Sequence, residues 1–375
     1  MDIRTYVRKL KELGIETITG VPDSTLQVFC GFIGEEDSFP CHITAANEGA
    51  AIGIAIGEYL ATGKPACVYM QNSGLGNTVN PLTSLAHTDV YGIPVLLMVG
   101  WRGEPGTKDE PQHKYMGKIT PDLLEVLGIR YSVITGDTTE EELEKAFRNA
   151  KEDLLKNRQY ALVIRKGAFQ KTDGAGYKND FILGREEAVS EIAGWLEERD
   201  LVVSTTGKIS REMYEQSDRK IGDHRQTFLT VGGMGHANMI ACQIAKRLPE
   251  RRIICLDGDG ALLMHMGNMA VVGEQNPGNL VHICLNNRAH ESVGGMPTGA
   301  PGLKFCEMAE AAGYRKVFCV KDKEGLREKL SNIRGEQTLT FLEIMVSLGA
   351  REDLGRPKET AEENKKSFMK KIADY

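Results

Sequence analysis

The sequence has no excess of basic residues: 46 Lys and Arg stand against 52 Asp and Glu, a formal net charge of −6. A chain so balanced has no general affinity for nucleic acid. It has no run of eighteen apolar residues, so no membrane-spanning helix is expected. The first stretch, MDIRTYVRKLKELG, lacks the apolar core of a signal peptide and reads as an amphipathic helix, which points to the cytoplasm. The eight cysteines (Cys30, Cys41, Cys67, Cys242, Cys255, Cys284, Cys306 and Cys319) form no C-x-x-C pair. Several lie in apolar runs, which favours buried free thiols in a reducing compartment over disulfides or zinc ligands. A complete G-x-G-x-x-G is also missing. GLGNTV, from Gly74 to Val79, lacks the third glycine and has no ribose-binding acid to accompany it, which argues against a nucleotide-dependent oxidoreductase.

What is present is a soluble globular composition, 41% hydrophobic and 26% charged, over 375 residues, enough for two domains. The apolar runs ACVYMQ, IPVLLMVGW and YALVIRKG in the first half read as buried strands. So do LVVSTTG, RIICLDG, LVHICLNN and LTFLEIMV in the second. Helical patterns lie between them; EEELEKAFRNAKEDLL places Leu143, Phe147, Ala150 and Leu154 on one face. Alternating strand and helix predicts parallel sheets wrapped by helices, an α/β fold. The order of LEVLGIRYSVI, an acidic helix and YALVIRKG returns later as EAAGYRKVFCV, KEGLREKLSNI and LTFLEIMV. This faint echo predicts two similar domains in tandem. The polar stretch 171–185 reads as the linker between domains 1–170 and 186–350, and the charged tail 351–375 as a surface-packed helix.

RRIICLDGDG is an apolar strand that ends in Asp257, Gly258, Asp259 and Gly260. Glycines there allow close approach of a ligand, and the N-terminus of a following helix favours an anion. The next strand, LVHICL, delivers Asn286 and Asn287 to the same edge of a parallel sheet. A carboxylate and a carboxamide oxygen beside a phosphate-binding turn suit magnesium, whose octahedron substrate phosphates complete.

G-D-G followed by N-N resembles the cofactor motif of the thiamin-diphosphate-dependent decarboxylase superfamily. Three further segments agree, in family order. GVPDS, Gly20 to Ser24, resembles the first loop of the pyrimidine-binding domain; NEGAAIGIAIG, from Asn47, resembles the segment with the activating glutamate; GGMGHA, Gly232 to Ala237, resembles the loop that props the cofactor. AHTDVYGIPVLLMVGWRGEPGTKDEPQH, NNRAHESVGGMPT and the tail are similar to the phosphonopyruvate decarboxylases, with the sulfopyruvate decarboxylases as near relatives.

The resemblance implies two tandem domains of the thiamin-diphosphate-binding type, with no central third domain. Residues 1–170 would bind the cofactor's pyrimidine and 186–350 its diphosphate and Mg2+. It implies non-oxidative decarboxylation of 3-phosphonopyruvate, an anionic 2-oxo acid, to phosphonoacetaldehyde and CO2 in phosphonate biosynthesis, with sulfopyruvate as the alternative substrate. It implies self-association, with active sites at a subunit interface. Glu48 is assigned to the pyrimidine nitrogen, Met234 to the wedge beneath the cofactor and the Gly232 carbonyl to its amine. Gly258, Asp259, Gly260, Ala261 and Asn287 line the diphosphate. Asp259, Asn287 and the Ala289 carbonyl are the expected metal ligands, with Asn286 the alternative to Asn287. Arg102, Lys108, His113, Arg288 and His290 are candidates for the substrate's anionic tail. His290 and Asp23, with Ser24, are candidates for the reacting centre, and His87 either shuttles a proton or packs. A non-catalytic regulator on this scaffold should have lost Glu48 or a metal ligand, and none is missing.

Overall fold

The computed structural model describes residues 1–34, 38–170, 177–291 and 295–374. Two compact units emerge, one of Met1–Tyr177 with Ser292–Gly299, the other of Lys178–Glu291 with Ala300–Tyr375. Part of the expected linker, 171–176, and residue 375 of the tail lie outside the described residues.

The first unit begins with α1 (Ile3–Glu12), capped by Asp2, and β1 (Thr17–Gly20). Then come α2 (Gln27–Ile33), β2 (Cys41–Thr44), α3 (Glu48–Thr62), β3 (Ala66–Gln71), α4 (Leu75–Pro81) and β4 (Val95–Gly100). α5 (Pro111–Val126), β5 (Arg130–Ile134), α6 (Glu140–Leu155) and β6 (Tyr160–Ile164) complete it. The strands form one parallel sheet in the order β2-β1-β3-β4-β6-β5. All six residues of β4 are buried, as both faces of a helix-covered sheet demand. On α6, Leu143, Phe147, Ala150 and Leu154 are buried, and Thr139 with Glu142 forms a capping box at its start.

The second unit contains α7 (Arg185–Trp195), β7 (Leu201–Ser204), α8 (Lys208–Ile221), β8 (Thr227–Leu229), α9 (Ala237–Arg247) and β9 (Ile253–Gly258). The short helices α10 (Asp259–Met264) and α11 (Gly267–Gln275) precede β10 (Leu280–Asn286). They stand where the sequence suggests a single helix; the break falls at His265, whose backbone leaves the helical region. α12 (Phe305–Ala311), β11 (Lys316–Val320), α13 (Lys323–Ile333), β12 (Thr340–Met345) and α14 (Ala361–Ala373) follow. This sheet is also parallel, in the order β8-β7-β9-β10-β12-β11. That is the order of the first sheet with every strand advanced by six, so the echo in the sequence is a repeated fold.

In each sheet the chain leaves its first strand to one side and returns on the other, at β1 and at β7. Such a switch point opens a crevice at the carboxyl ends of the strands, where open α/β sheets bind ligands. On the second sheet, α14 seals the edge strand β8. Asn364 accepts from Leu229 N at 2.9 Å and donates to Thr227 O at 3.0 Å, as a neighbouring strand would.

No helix among the described residues is long and apolar enough to cross a membrane.

Candidate active site

In the first unit, β1, β2, β3 and β4 end at one edge and present Asp23, Glu48, Asn72 and Arg102 from the segments that follow. Gly20, the last residue of β1, has no room for a side chain, since a Cβ there would stand 1.9 Å from Tyr69 O. Glu48 is the first residue of α3, behind its cap Asn47, whose side chain accepts from Ala50 N at 2.9 Å. Its carboxylate is buried, and Oε2 accepts from Asn77 Nδ2 at 2.7 Å. Gly74 lets α4 close over it: a Cβ there would lie 2.4 Å from Glu48 Oε1. Burial raises the Glu48 carboxyl above the usual range, against the pull of Asn77.

Asp23 is fully buried, with Oδ2 accepting from Thr25 N at 3.0 Å and Oδ1 lacking a partner among the described residues. Burial pushes its carboxyl up to about 6, although the Arg102 charge opposes this. Arg102 Nη1 donates to Ser24 Oγ at 2.9 Å, while its other face grips Asp109 bidentately at 2.8 and 2.5 Å. That pair holds the Asp109 carboxyl well below its ordinary range, and the backbone N–H groups of Glu110 and Gly103 help. Much of the Arg102 charge is therefore already answered. Asn72 fixes the Arg102 backbone on both sides, at 2.9 and 3.2 Å. Lys108 is exposed nearby in sequence, and His113 is half-buried at the start of α5, its imidazole kept toward the neutral form by burial and then by Arg102. His87 follows a π-helical turn, Leu82–Ala86, and its Nδ1 accepts from Asp89 N at 3.1 Å.

In the second unit, Asp259 opens α10. It is 4% exposed, its Oδ2 has no partner among the described residues, and burial pushes its carboxyl up to about 7. Backbone N–H groups of Gly260, Asn287 and Arg288 oppose that rise, which places the carboxylate against the asparagine turn. In that turn Asn286 Oδ1 accepts from Arg288 N, and Asn287 Oδ1 accepts from Ala289 N, each at 3.0 Å. Arg288 adopts φ +61°, and its guanidinium lies over the Phe181 ring, 5.1 Å from the centroid. Asn179 donates to the Asn287 carbonyl at 2.9 Å and to Val346 O at 3.2 Å.

Met234 stands between Gly233 and Gly235, both left-handed, with φ +65° and +88°. It is only partly buried and is no part of the apolar core. A Cβ at Gly260 would lie 2.9 Å from His290 Nδ1 and 3.5 Å from Met234 Cε, so the methionine tip, the glycine and the imidazole converge. His290 is buried, its Nε2 has no partner among the described residues, and burial lowers its imidazole to about 4. At neutral pH it is an uncharged group that can donate or accept, rather than a cation for an anionic tail.

The structure thus gathers Asp259, the turn 286–290, Gly260 and Met234 on one unit, and Asp23, Ser24, Glu48 and Arg102 at one sheet edge of the other. Sequence reasoning missed the residues that hold these in place. Asn77 and Asn72 carried no motif, nor did Asn179 in the presumed linker. Glu291, which binds Asn287 Nδ2 at 2.8 Å, stood next to the motif and showed no signal of its own.

Two family models match the chain: the thiamine pyrophosphate enzyme N-terminal TPP binding domain over residues 4–126, and the C-terminal TPP binding domain over 206–344. A phosphonopyruvate decarboxylase of Streptomyces viridochromogenes is 36% identical over 96% of this chain and 92% of its own length. One of Streptomyces hygroscopicus is 34% identical over 96% and 91%. A sulfopyruvate decarboxylase of Methanosarcina acetivorans is 28% identical over 91% and 90%. These matches run through both units, and the chain belongs to the thiamine pyrophosphate enzyme family, in its group of phosphonopyruvate decarboxylases.

Proposed function

We propose that the chain is a carboxy-lyase that converts 3-phosphonopyruvate to phosphonoacetaldehyde and CO2 with thiamin diphosphate and Mg2+. The observation that carries this is identity of 36% and 34% to two phosphonopyruvate decarboxylases over nearly the whole length. The residues also fit the cofactor. Asp259 Oδ2 is buried and has no partner among the described residues, a position that a cation would satisfy. Asp259, Asn287 and the Ala289 carbonyl offer hard oxygen atoms, the set magnesium prefers. Of the two asparagines, Asn287 is assigned the role because it stands in the turn beside Ala289, whereas Asn286 is the last residue of β10.

Bound thiamin diphosphate would supply the nucleophile for the substrate ketone and the electron sink for loss of CO2. The chain's residues would do the rest. Glu48, with its raised carboxyl, would hold a proton at the pyrimidine ring nitrogen, Asn77 fixing its other oxygen. Met234 and the Gly232 carbonyl would support the cofactor's rings and amine. Gly258, Gly260 and Ala261 would let the diphosphate approach the backbone. Asp23 and neutral His290 would face the reacting carbon and exchange protons there. Arg102, Lys108, His113 and Arg288 would surround the anionic tail. We also propose that residues 1–170 and 186–350 serve as the pyrimidine and diphosphate domains, paired across a homodimer. Leu60, Leu85, Val90 and Tyr91 are exposed on the first unit and would offer apolar surface for that pairing.

The second reading, sulfopyruvate decarboxylation, rests on the archaeal relative. Both substrates share ketone and carboxylate and differ in tail charge. A second charge about 4 Å from a cation is worth roughly 4 kcal/mol before desolvation at an intermediate dielectric. About 1.4 kcal/mol already gives tenfold discrimination. Turnover of both β-substituted pyruvates, with and without thiamin diphosphate and magnesium, between pH 6 and 8 tests this. Phosphonopyruvate should be preferred, and the preference should shrink as the phosphonate gains a proton. Equal or better turnover of sulfopyruvate at pH 8 moves the assignment to the sulfonate.

A further inference from the structure

On the far side of Asn286 lies a cluster that the decarboxylation does not use. Cys306 on α12, Cys319 on β11 and Glu343 on β12 bring two sulfur atoms and a carboxylate oxygen within 4.8 Å of one another. The sheet register builds half of it, since Cys319 is the direct partner of Glu343 across the parallel strands. Cys306 reaches down from α12, its thiol 3.2 Å from Glu343 Oε2 and 3.5 Å from Phe318 O. Glu343 is 6% exposed, and its partners are a carboxamide and a thiol: Oε1 accepts from Asn286 Nδ2 at 2.7 Å. Among the described residues no lysine or arginine pairs with it. A buried carboxylate without a cation is costly unless something positive joins it. Cys319 is exposed, so the cluster opens to solvent.

We infer that Cys306, Cys319 and Glu343 form a second metal site, for a single thiophilic divalent cation of the zinc class. Two thiolates and a carboxylate are too soft a set for magnesium and suit zinc, with water in the fourth, solvent-facing position. The neighbouring Cys306 S–H brings the Cys319 thiol below its ordinary value, against burial, so Cys319 is the one more ready to ionise. The sequence favoured buried free thiols over zinc ligands; Cys306 is half-buried and Cys319 exposed, and helix packing and the pairing of β11 with β12 bring them to Glu343. Filled, the site would clasp α12 to the sheet and fix Glu343, and through it Asn286, beside the turn that bears Asn287. A disulfide between the two cysteines is the competing chemistry, but it leaves Glu343 without a cation.

The test is a zinc titration of the full chain against a chromophoric chelator, in excess magnesium and under reducing conditions. One zinc per chain is expected. Cobalt in its place should show thiolate-to-metal charge-transfer absorption. Cys319→Ser changes an exposed side chain and should keep the fold, checked by circular dichroism. Its zinc affinity should fall by more than the roughly 10- to 100-fold that loss of an outer partner costs. Glu343→Gln should weaken zinc while still accepting from Asn286, and Cys41→Ser should change nothing. No zinc in the wild-type chain, zinc retained in Cys319→Ser, or a Cys306–Cys319 disulfide that forms equally fast with zinc present would each overturn the site.

Discussion

Asn287 donates its side-chain N–H to Glu291 Oε2 at 2.8 Å. Glu291 is held in turn by Arg185 and, at 2.9 Å, by Lys208. Arg185 is 4% exposed and also grips Glu212 at 2.9 and 2.7 Å. With its N–H held by Glu291 and its oxygen accepting from Ala289 N, the carboxamide keeps one orientation, and a second lone pair of Oδ1 is left for a metal. Partners of this kind orient a metal ligand, and their loss typically costs roughly 10- to 100-fold in metal affinity. Glu291→Ala should weaken magnesium-dependent binding of thiamin diphosphate by about that factor in calorimetry, while Glu291→Gln, which still accepts, should lose less. An unchanged affinity in a folded Glu291→Ala chain would remove Asn287 from the metal.

Glu48→Gln keeps the size and the contact with Asn77 but removes the carboxyl's proton exchange. Cofactor should still bind. Turnover at saturating cofactor should fall by roughly 10²-fold, about 2.7 kcal/mol of barrier. Near-normal turnover would refute the role given to Glu48.

Asp23 predicts a pH-dependent change in stability. Its folded carboxyl, at about 6, lies above the unfolded value near 3.9. The folded state therefore binds the proton more tightly. That stabilising share is complete below about pH 4 and is lost as pH rises through 6, to a limit of about 3 kcal/mol. Asp23→Asn should be more stable than wild type in urea at pH 8, match it at pH 4, and lose activity. Equal unfolding midpoints at pH 8 would show that burial does not penalise this carboxylate.

If the cofactor is bound between two chains, a Glu48→Ala chain and an Asp259→Ala chain should complement each other. In the hybrid dimer one site keeps both residues and the other keeps neither. Activity should appear on mixing two inactive preparations under conditions where mass spectrometry shows subunit exchange. Exchange without activity would mean that Glu48 and Asp259 serve one cofactor within one chain.

The sequence revealed what is continuous in it. Seven apolar runs are strands, because a strand buried on both faces must be apolar throughout. Three strands were hidden: β8 is only three residues long, β1 is TITG, with one apolar side chain in four, and β2 is CHIT, half-exposed at the sheet edge. The motif residues were legible because Gly-Asp-Gly and Asn-Asn sit at strand ends, where topology fixes the edge they share. Their supports were not. Asn77 reaches Glu48 across 29 positions, Asn179 reaches Asn287 across 108 and Glu343 reaches Asn286 across 57. A hydrogen-bond partner at that distance leaves no periodic trace. The expected surface cations fared differently again, because the charge state of His290 is set by burial, which the run NNRAHES does not display.

The seal that Asn364 places on β8 has a consequence for the order of events during synthesis. Leu229 and Thr227 wait for a side chain 135 and 137 positions further on. Domains generally fold as units while the ribosome is still adding residues. Until the segment around Asn364 emerges, the nascent second sheet carries an open edge, a template on which another nascent chain can add its own strand. Chains made side by side on one message are thus most vulnerable to mispairing in this interval, after β12 has docked and before α14 has arrived.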